Sequence, residues 1–156
     1  GEISTLLKNK YKLNVIQKSK EEDVQNNTDI LLYDLFGEMG TIFTFSDIVL
    51  MAGSLMPGYG GHTPVEPAKL HCAILTGPYI SNNKSLFEQL MKTDGTIIIN
   101  DDGNLIENIT NQVTELFNNP EKVSKLKENA YSAAMSANNI TQKIVSIISK
   151  DFFEKE

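Results

Sequence analysis

Short β-branched runs alternate along this chain with stretches of helical periodicity, and no other feature narrows its fold as much. Leu13-Asn14-Val15-Ile16, Ile30-Leu31-Leu32-Tyr33, Ile48-Val49-Leu50-Met51, Ala73-Ile74-Leu75 and Thr96-Ile97-Ile98-Ile99 read as five strands. Ile30-Leu31-Leu32-Tyr33 is continuously apolar, as expected of a strand covered on both faces of a parallel sheet. Helical patterns lie between the runs, over 37–45, from Pro64 onward and over 84–91. Proline suits the first turn of a helix, where its missing N–H costs nothing. Beyond Asn104 the pattern is helical throughout. Leu105, Ile109, Val113 and Leu116 make one apolar stripe that ends at Asn118-Asn119-Pro120. A second helix is predicted with Val123, Leu126 and Ala130, and a third with Ile140, Ile144, Val145, Ile148 and Phe152 opposite Lys143, Ser146 and Lys150. The expected fold is α/β, a parallel sheet with right-handed crossovers and flanking helices, ending in a helical C-terminal tail, all in one domain over 1–156.

Composition closes several functional classes. The chain has 156 residues, 40% apolar and 22% charged, with a net charge of −6. That balance argues against nucleic acid as a partner, since phosphate backbones are bound by excess Lys and Arg. No window approaches the roughly 18 apolar residues of a membrane-spanning helix. The start, Gly1-Glu2, carries no signal-peptide pattern and lacks Met, so a soluble piece of a larger or processed protein is expected. Cys72 is the one cysteine, which excludes a disulfide framework and suits a reducing compartment. It lies in the run Cys72-Ala73-Ile74-Leu75 and is read as a small buried hydrophobe rather than a nucleophile.

In open parallel sheets ligands bind beyond the carboxyl ends of the strands. Two loops have that position, 34–40 after the second strand and 53–68 after the third. The second holds Gly53, Gly58, Gly60 and Gly61 within nine residues. Such glycines permit positive φ and close approach of backbone to a ligand, at a cost in backbone entropy. The loop runs into the helix predicted at Pro64, whose unpaired amides suit a phosphate or carboxylate. His62 stands at that entrance, able to donate to an anion, and Glu66 lies in the first turn. Glu66 has two readings: it answers the helix dipole, or it accepts hydrogen bonds from a ribose diol. Asp101-Asp102, before Gly103-Asn104, reads as a turn and helix cap. Glu21-Glu22-Asp23 reads as a solvated loop, and His71 as a structural or surface residue at a helix end.

Gly53-Ser54-Leu55 followed by Gly60-Gly61-His62-Thr63-Pro64-Val65-Glu66-Pro67-Ala68 closely resembles a signature of the 3-deoxy-D-manno-octulosonic acid (Kdo) transferases of lipopolysaccharide synthesis, Gly-Gly-His-Asn-Pro-Leu-Glu-Pro-Ala. Two further segments match in order. Asp34 with Gly37-Glu38-Met39 looks like the family's Asp-x-x-Gly-Glu-Leu/Met, and Gly77-Pro78 with Asn82 looks like its Gly-Pro-His-x-x-Asn. The resemblance covers roughly 13–148. It implies a GT-B architecture of two Rossmann-like domains, of which this chain is most of the C-terminal, donor-binding one. The implied donor is CMP-Kdo, with no metal or other cofactor. The implied acceptor is a lipid A precursor, met through an N-terminal domain absent from the chain, at the cytoplasmic face of the bacterial inner membrane.

Carried over by residue, the resemblance gives Glu66 the ribose hydroxyls of CMP and gives the amides around Gly60, Gly61 and His62 the phosphate or the sugar acid. Gly37, Glu38 and Met39 would line the nucleotide pocket, Asn82 would approach the donor sugar, and Ser54 and Thr63 complete the donor-binding set. Thr63 stands where the family usually has Asn, and Tyr79 where it usually has His. Met56-Pro57-Gly58-Tyr59 also makes the loop about a residue longer. The family's catalytic base, a Glu, lies in the other domain, and its Pro-Arg-His segment would precede Gly1. The chain by itself is therefore expected to bind nucleotide weakly at best, to hold no catalytic residue and not to transfer. The last helix of such proteins crosses back to the partner domain, which would leave part of 148–153 exposed here. Two other readings stay open: the donor domain of a GT-B enzyme using a UDP-sugar, and a non-catalytic α/β binding or regulatory module.

Overall fold

A computed structural model describes residues 1–20 and 22–153, with the side chains of 137–144 and 150–153 outside the description. Eleven strands and α-helices follow one another among the described residues, in alternation through most of the chain. They are α1 (Glu2–Tyr11), β1 (Val15–Gln17), β2 (Ile30–Leu32), α2 (Met39–Thr44), β3 (Ile48–Met51), α3 (Val65–Lys69), β4 (Ala73–Thr76), α4 (Lys84–Lys92), β5 (Thr96–Ile98), α5 (Leu105–Phe117) and α6 (Pro120–Phe153). They divide into two compact units, Gly1–Met39 and Gly40–Glu156.

In the first unit β1 and β2 pair in parallel, Val15 opposite Ile30. Helix α1 precedes them and ends on Lys12 in the left-handed conformation. Its apolar positions Ile3, Leu6 and Leu7 fit helical spacing, but Ile3 and Leu6 are exposed. A stripe so short and so little buried is a weak signal, and the helix was not expected from the sequence. The Asp34 carboxylate ties the unit together. It accepts from the Ser19 hydroxyl at 2.6 Å, the Gln17 side-chain amide at 2.7 Å and the Ser19 backbone N–H at 2.9 Å. The Ser19 hydroxyl above all, then Gln17, hold the carboxyl below its ordinary 3.8, at about 2. Its folded pKa lies below the unfolded one, so its stabilising contribution is present above about pH 4 and lost as pH falls towards 2. Thermal melts between pH 5 and pH 2 should show this loss, and Asp34→Asn should flatten the dependence over that window.

In the second unit β3, β4 and β5 stand side by side in chain order, all parallel, with Ile48 opposite Ala73 and Ile74 opposite Thr96. The central strand β4 is buried along its whole length. Side chains alternate across a strand, and the two faces accordingly meet different layers. Ile74 packs with Met51, Ala68, Phe87 and Leu90, against α3 and α4. Ala73 and Leu75 pack with Ile99 and Leu116, against α5. Cys72 is fully buried, burial pushes its thiol pKa up, and its Sγ donates to the Phe43 carbonyl at 3.3 Å. It is a packed small hydrophobe, as expected.

Helix α6 contributes Leu126 to the α5 layer and Ala130, Ala133 and Ala134 to the opposite one. It passes beneath the amino ends of all three strands. Lys127 pairs with Asp47 before β3 at 2.7 Å, and Tyr131 stacks on His71 before β4, ring centres 4.0 Å apart. Asn129 donates to the Asp94 carbonyl before β5, and Gly95 lies so close to Ala130 that a Cβ would fall 2.8 Å from its backbone nitrogen. His71 is thus structural, as expected.

The sequence predicts two helices over this stretch, whereas the structure has one of 34 residues. The apolar stripe shifts after Ala130, but nothing between Ala130 and Ile140 breaks a helix: Ala133, Met135 and Ala137 are good helix formers, and no Gly or Pro intervenes. A stripe can change face without the backbone changing course. Val145, Ile147 and Ile148 are exposed; Ile140, Ile144, Phe152 and Phe153 lie outside the described side chains, as does Glu21 altogether. Among the described residues no helix is long and apolar enough to cross a membrane.

Candidate functional site

The loop 53–64 leaves the carboxyl end of β3, where a parallel sheet places its ligands. A buried serine strut sets its root. The Ser54 hydroxyl donates to the Met51 carbonyl and accepts from the Gly77 N–H at 2.7 Å and the Thr76 hydroxyl at 2.8 Å. Its side chain is wholly inaccessible. Ser54, placed among the donor-binding residues by sequence, therefore lies beneath the loop with its hydroxyl committed to the β3–β4 junction. Tyr79 N–H donates to the Ser54 carbonyl at 3.1 Å, which joins the segment after β4 to the same root.

The glycines above it take positive φ: 88° at Gly58, 72° at Gly60 and 75° at Gly61. Asn82 and Asn83, after β4, grip their carbonyls. The Asn82 side-chain amide donates to the Tyr59 carbonyl at 3.1 Å, and its backbone N–H to the Gly60 carbonyl at 2.9 Å. The Asn83 side-chain amide donates to the Gly61 carbonyl at 3.2 Å. By contrast, the N–H groups of Gly60, Gly61, His62 and Thr63 donate to no acceptor among the described residues. A run of uncommitted amides is rare in a folded loop.

Helix α3, expected at Pro64, has only five residues. Its dipole is correspondingly slight, and the available donors come from the loop rather than from a helix end. The Thr63 hydroxyl accepts from the Val65 N–H at 3.4 Å, a weak local turn that an Asn could also make. His62 and Glu66 are both exposed. The His62 ring covers Gly53, where a Cβ would come within 2.9 Å of Cδ2. The Glu66 carboxylate reaches over Gly40 in α2, with Oε1 3.1 Å from where a Cβ would be, and no hydrogen bond or ion pair holds it among the described residues.

The structure thus brings Gly60, Gly61, His62, Thr63, Glu66 and Asn82 into one loop system with Ser54 at its base. Gly37, Glu38 and Met39 belong to the first unit. There Gly37 has φ 87°, Met39 is half exposed, and Glu38 accepts from the Tyr33 hydroxyl, which raises the Tyr33 pKa. Beside the glycine loop an open depression of ≈ 420 Å³ is lined by Gly58, Gly60, Tyr79, Ile80, Lys84 and Met91, among others. Tyr79, at the position where histidine is usual, donates its hydroxyl to Asp101 at 3.0 Å. This bond lifts the Tyr79 pKa and joins the loops after β4 and β5. Asp102 makes the expected turn by accepting from the Asn104 N–H and the Asn108 side chain, while Asn104 itself occupies the cap position of α5. Sequence reasoning missed Asn83 and Asp101 as parts of the rim; an Asn beside another Asn gives no sign of which carbonyl each will hold. Among the described residues no group of three or more His, Cys, Asp or Glu could hold a metal ion.

No family model matches the chain. Curated relatives do. A 3-deoxy-D-manno-octulosonic acid transferase of Haemophilus influenzae is 29% identical over 153 residues, which is 98% of this chain and 34% of that protein. Proteins of the same name from Rickettsia prowazekii and Chlamydia trachomatis serovar D are 29% and 26% identical over 77% and 76% of the chain. The chain spans between a quarter and a third of the length of these three relatives. Among solved structures, the C-terminal CMP-Kdo binding domain of WaaA from Acinetobacter baumannii superposes with a TM-score of 0.74 at 20% identity, over 85% of this chain and 66% of that one. The likeness to Kdo transferases read from the loop motifs is borne out, and so is the α/β fold with parallel strands flanked by helices.

Proposed function

We propose that this chain is the donor-binding part of a Kdo transferase, holding CMP-Kdo for transfer to a lipid A precursor in lipopolysaccharide synthesis. The observation that carries this reading is the row of uncommitted amides at Gly60, Gly61, His62 and Thr63, with the free carboxylate of Glu66 on the helix that follows. Successive backbone N–H groups hold an anion without a cationic side chain, which suits a loop in a chain of net charge −6. The names of the matching proteins support the same ligand.

In this reading the amides of Gly60, Gly61 and His62 meet the phosphate or the sugar acid, and His62 adds a donor from its ring. Glu66 accepts from the two ribose hydroxyls, and Asn82 stands at the edge where the sugar lies. Ser54 acts only through the loop it supports. The base that deprotonates the acceptor hydroxyl in an inverting transfer belongs to the remainder of the protein, as does contact with the inner membrane. No metal takes part in donor binding.

Calorimetric titration of CMP and UDP into the chain tests the proposal. CMP should bind in preference to UDP, and Glu66→Ala should weaken CMP about tenfold or more, the worth of hydrogen bonds to a charged group. Preference for UDP, as for a UDP-sugar enzyme, or indifference to Glu66 overturns it.

A further inference from the structure

Asn83 occupies the cap position of α4, yet its side chain makes no capping bond. Asparagine is favoured there because its side-chain oxygen ordinarily accepts from the first-turn amides. Here its Nδ2 donates instead to the Gly61 carbonyl, from a half-buried position. Giving up the cap for a loop carbonyl needs a reason, and the geometry of the peptide unit supplies one.

In a trans peptide the C=O and the following N–H point in opposite directions across one plane. Holding a carbonyl therefore aims the next residue's N–H the other way. Asn82 holds the carbonyls of Tyr59 and Gly60, which orients the amides of Gly60 and Gly61. Asn83 holds the carbonyl of Gly61, which orients the amide of His62. These are three consecutive peptide units, and all three amides are uncommitted among the described residues. Glycine at positive φ can flip at either flanking peptide with little steric penalty, so without the grip the His62 amide has no fixed direction.

We propose that Asn83 is a positioning residue of the anion site: it touches no ligand and sets the direction of the His62 N–H through the Gly61 carbonyl. This rests on the donor-site reading above, yet part of it is testable without any ligand. Two variants separate the roles. Asn83→Ala removes the donor. Asn83→Asp keeps the size and a good capping oxygen but cannot donate, so it restores a cap and not a grip.

The His62 backbone amide resonance and its hydrogen exchange are followed in the free chain, and CMP affinity is measured by calorimetry. Both variants should shift the His62 amide and speed its exchange, and both should lose about tenfold in CMP affinity, as for one charge-assisted donor. Recovery of CMP affinity in Asn83→Asp would mean a capping role and would overturn the proposal. So would a His62 amide unmoved in both variants, or unchanged CMP affinity in both. If the unaltered chain takes up no CMP, the donor-site reading fails, while the His62 amide still decides the role of Asn83.

Discussion

Replacing Gly77 with alanine is expected to cost several kcal/mol of stability, enough to lower the melting temperature by about 10 °C. A Cβ there would fall 2.2 Å from the Ser54 carbonyl oxygen, 2.7 Å from its carbon and 2.9 Å from the Leu55 Cα. All three are backbone atoms, so no side chain can turn aside to make room. The Gly77 N–H also donates to the Ser54 hydroxyl, so any shift that relieves the clash breaks the strut. Overpacking costs roughly 1–3 kcal/mol and more when backbone must move, against a total of about 5–15 kcal/mol for a domain. Each kcal/mol is worth about 2–4 °C at this size. Calorimetric or circular-dichroism melts check it, and a variant melting within a degree or two of the parent would refute the close approach.

The second large effect is on binding. Gly60→Ala should abolish detectable CMP uptake, a loss of about 100-fold or more, while costing only about 1–2 kcal/mol of stability. The stability cost comes from φ 72°, since a left-handed residue with a Cβ is disfavoured by that amount. The binding cost comes from the Asn82 side chain, which a Cβ would approach to 2.4 Å. Asn82 is exposed and can swing away, but only by releasing the Tyr59 carbonyl. The Gly60 amide then loses its direction, and a Cβ strained at φ 72° loosens the following peptide and its bond from the residue 82 N–H; two donors to a charged group are worth about 3–6 kcal/mol. Asn82→Ala with Gly60 intact should lose less, because the backbone bond from residue 82 to the Gly60 carbonyl survives. Equal affinity of Gly60→Ala and the parent would remove the loop from the binding site.

The strands of the second unit were legible because each is a short apolar run packed into the sheet, β4 buried along its whole length and β3 and β5 partly, and β3 has the limits read for it, Ile48–Met51. Helix α1 was missed because most of its apolar stripe faces water, and α6 was divided because its stripe changes layer at Ala130. The glycine loop declared itself through residue type alone, since glycine takes the φ of 60 and 61 without the penalty a Cβ brings. Its working parts did not. That Ser54 lies under the loop and that Asn83 bonds back to Gly61 both rest on contacts between segments about twenty residues apart. No local propensity encodes them. His62, Thr63 and Glu66 were found by their place in a motif, which supplies order along the chain but not direction in space.

The long C-terminal helix meets the amino ends of the strands over Lys127 to Tyr131, and the glycine loop proposed to hold the donor leaves the carboxyl end of β3. The strands between are three or four residues long, about 10–13 Å at the usual rise. That makes the first turns of the helix a handle. Lys125 and Glu121 are exposed there, so a dye, a spin label or a surface tether attached at either position faces away from the glycine loop. A sensor surface coated in this way would present every molecule with its loops toward the solution.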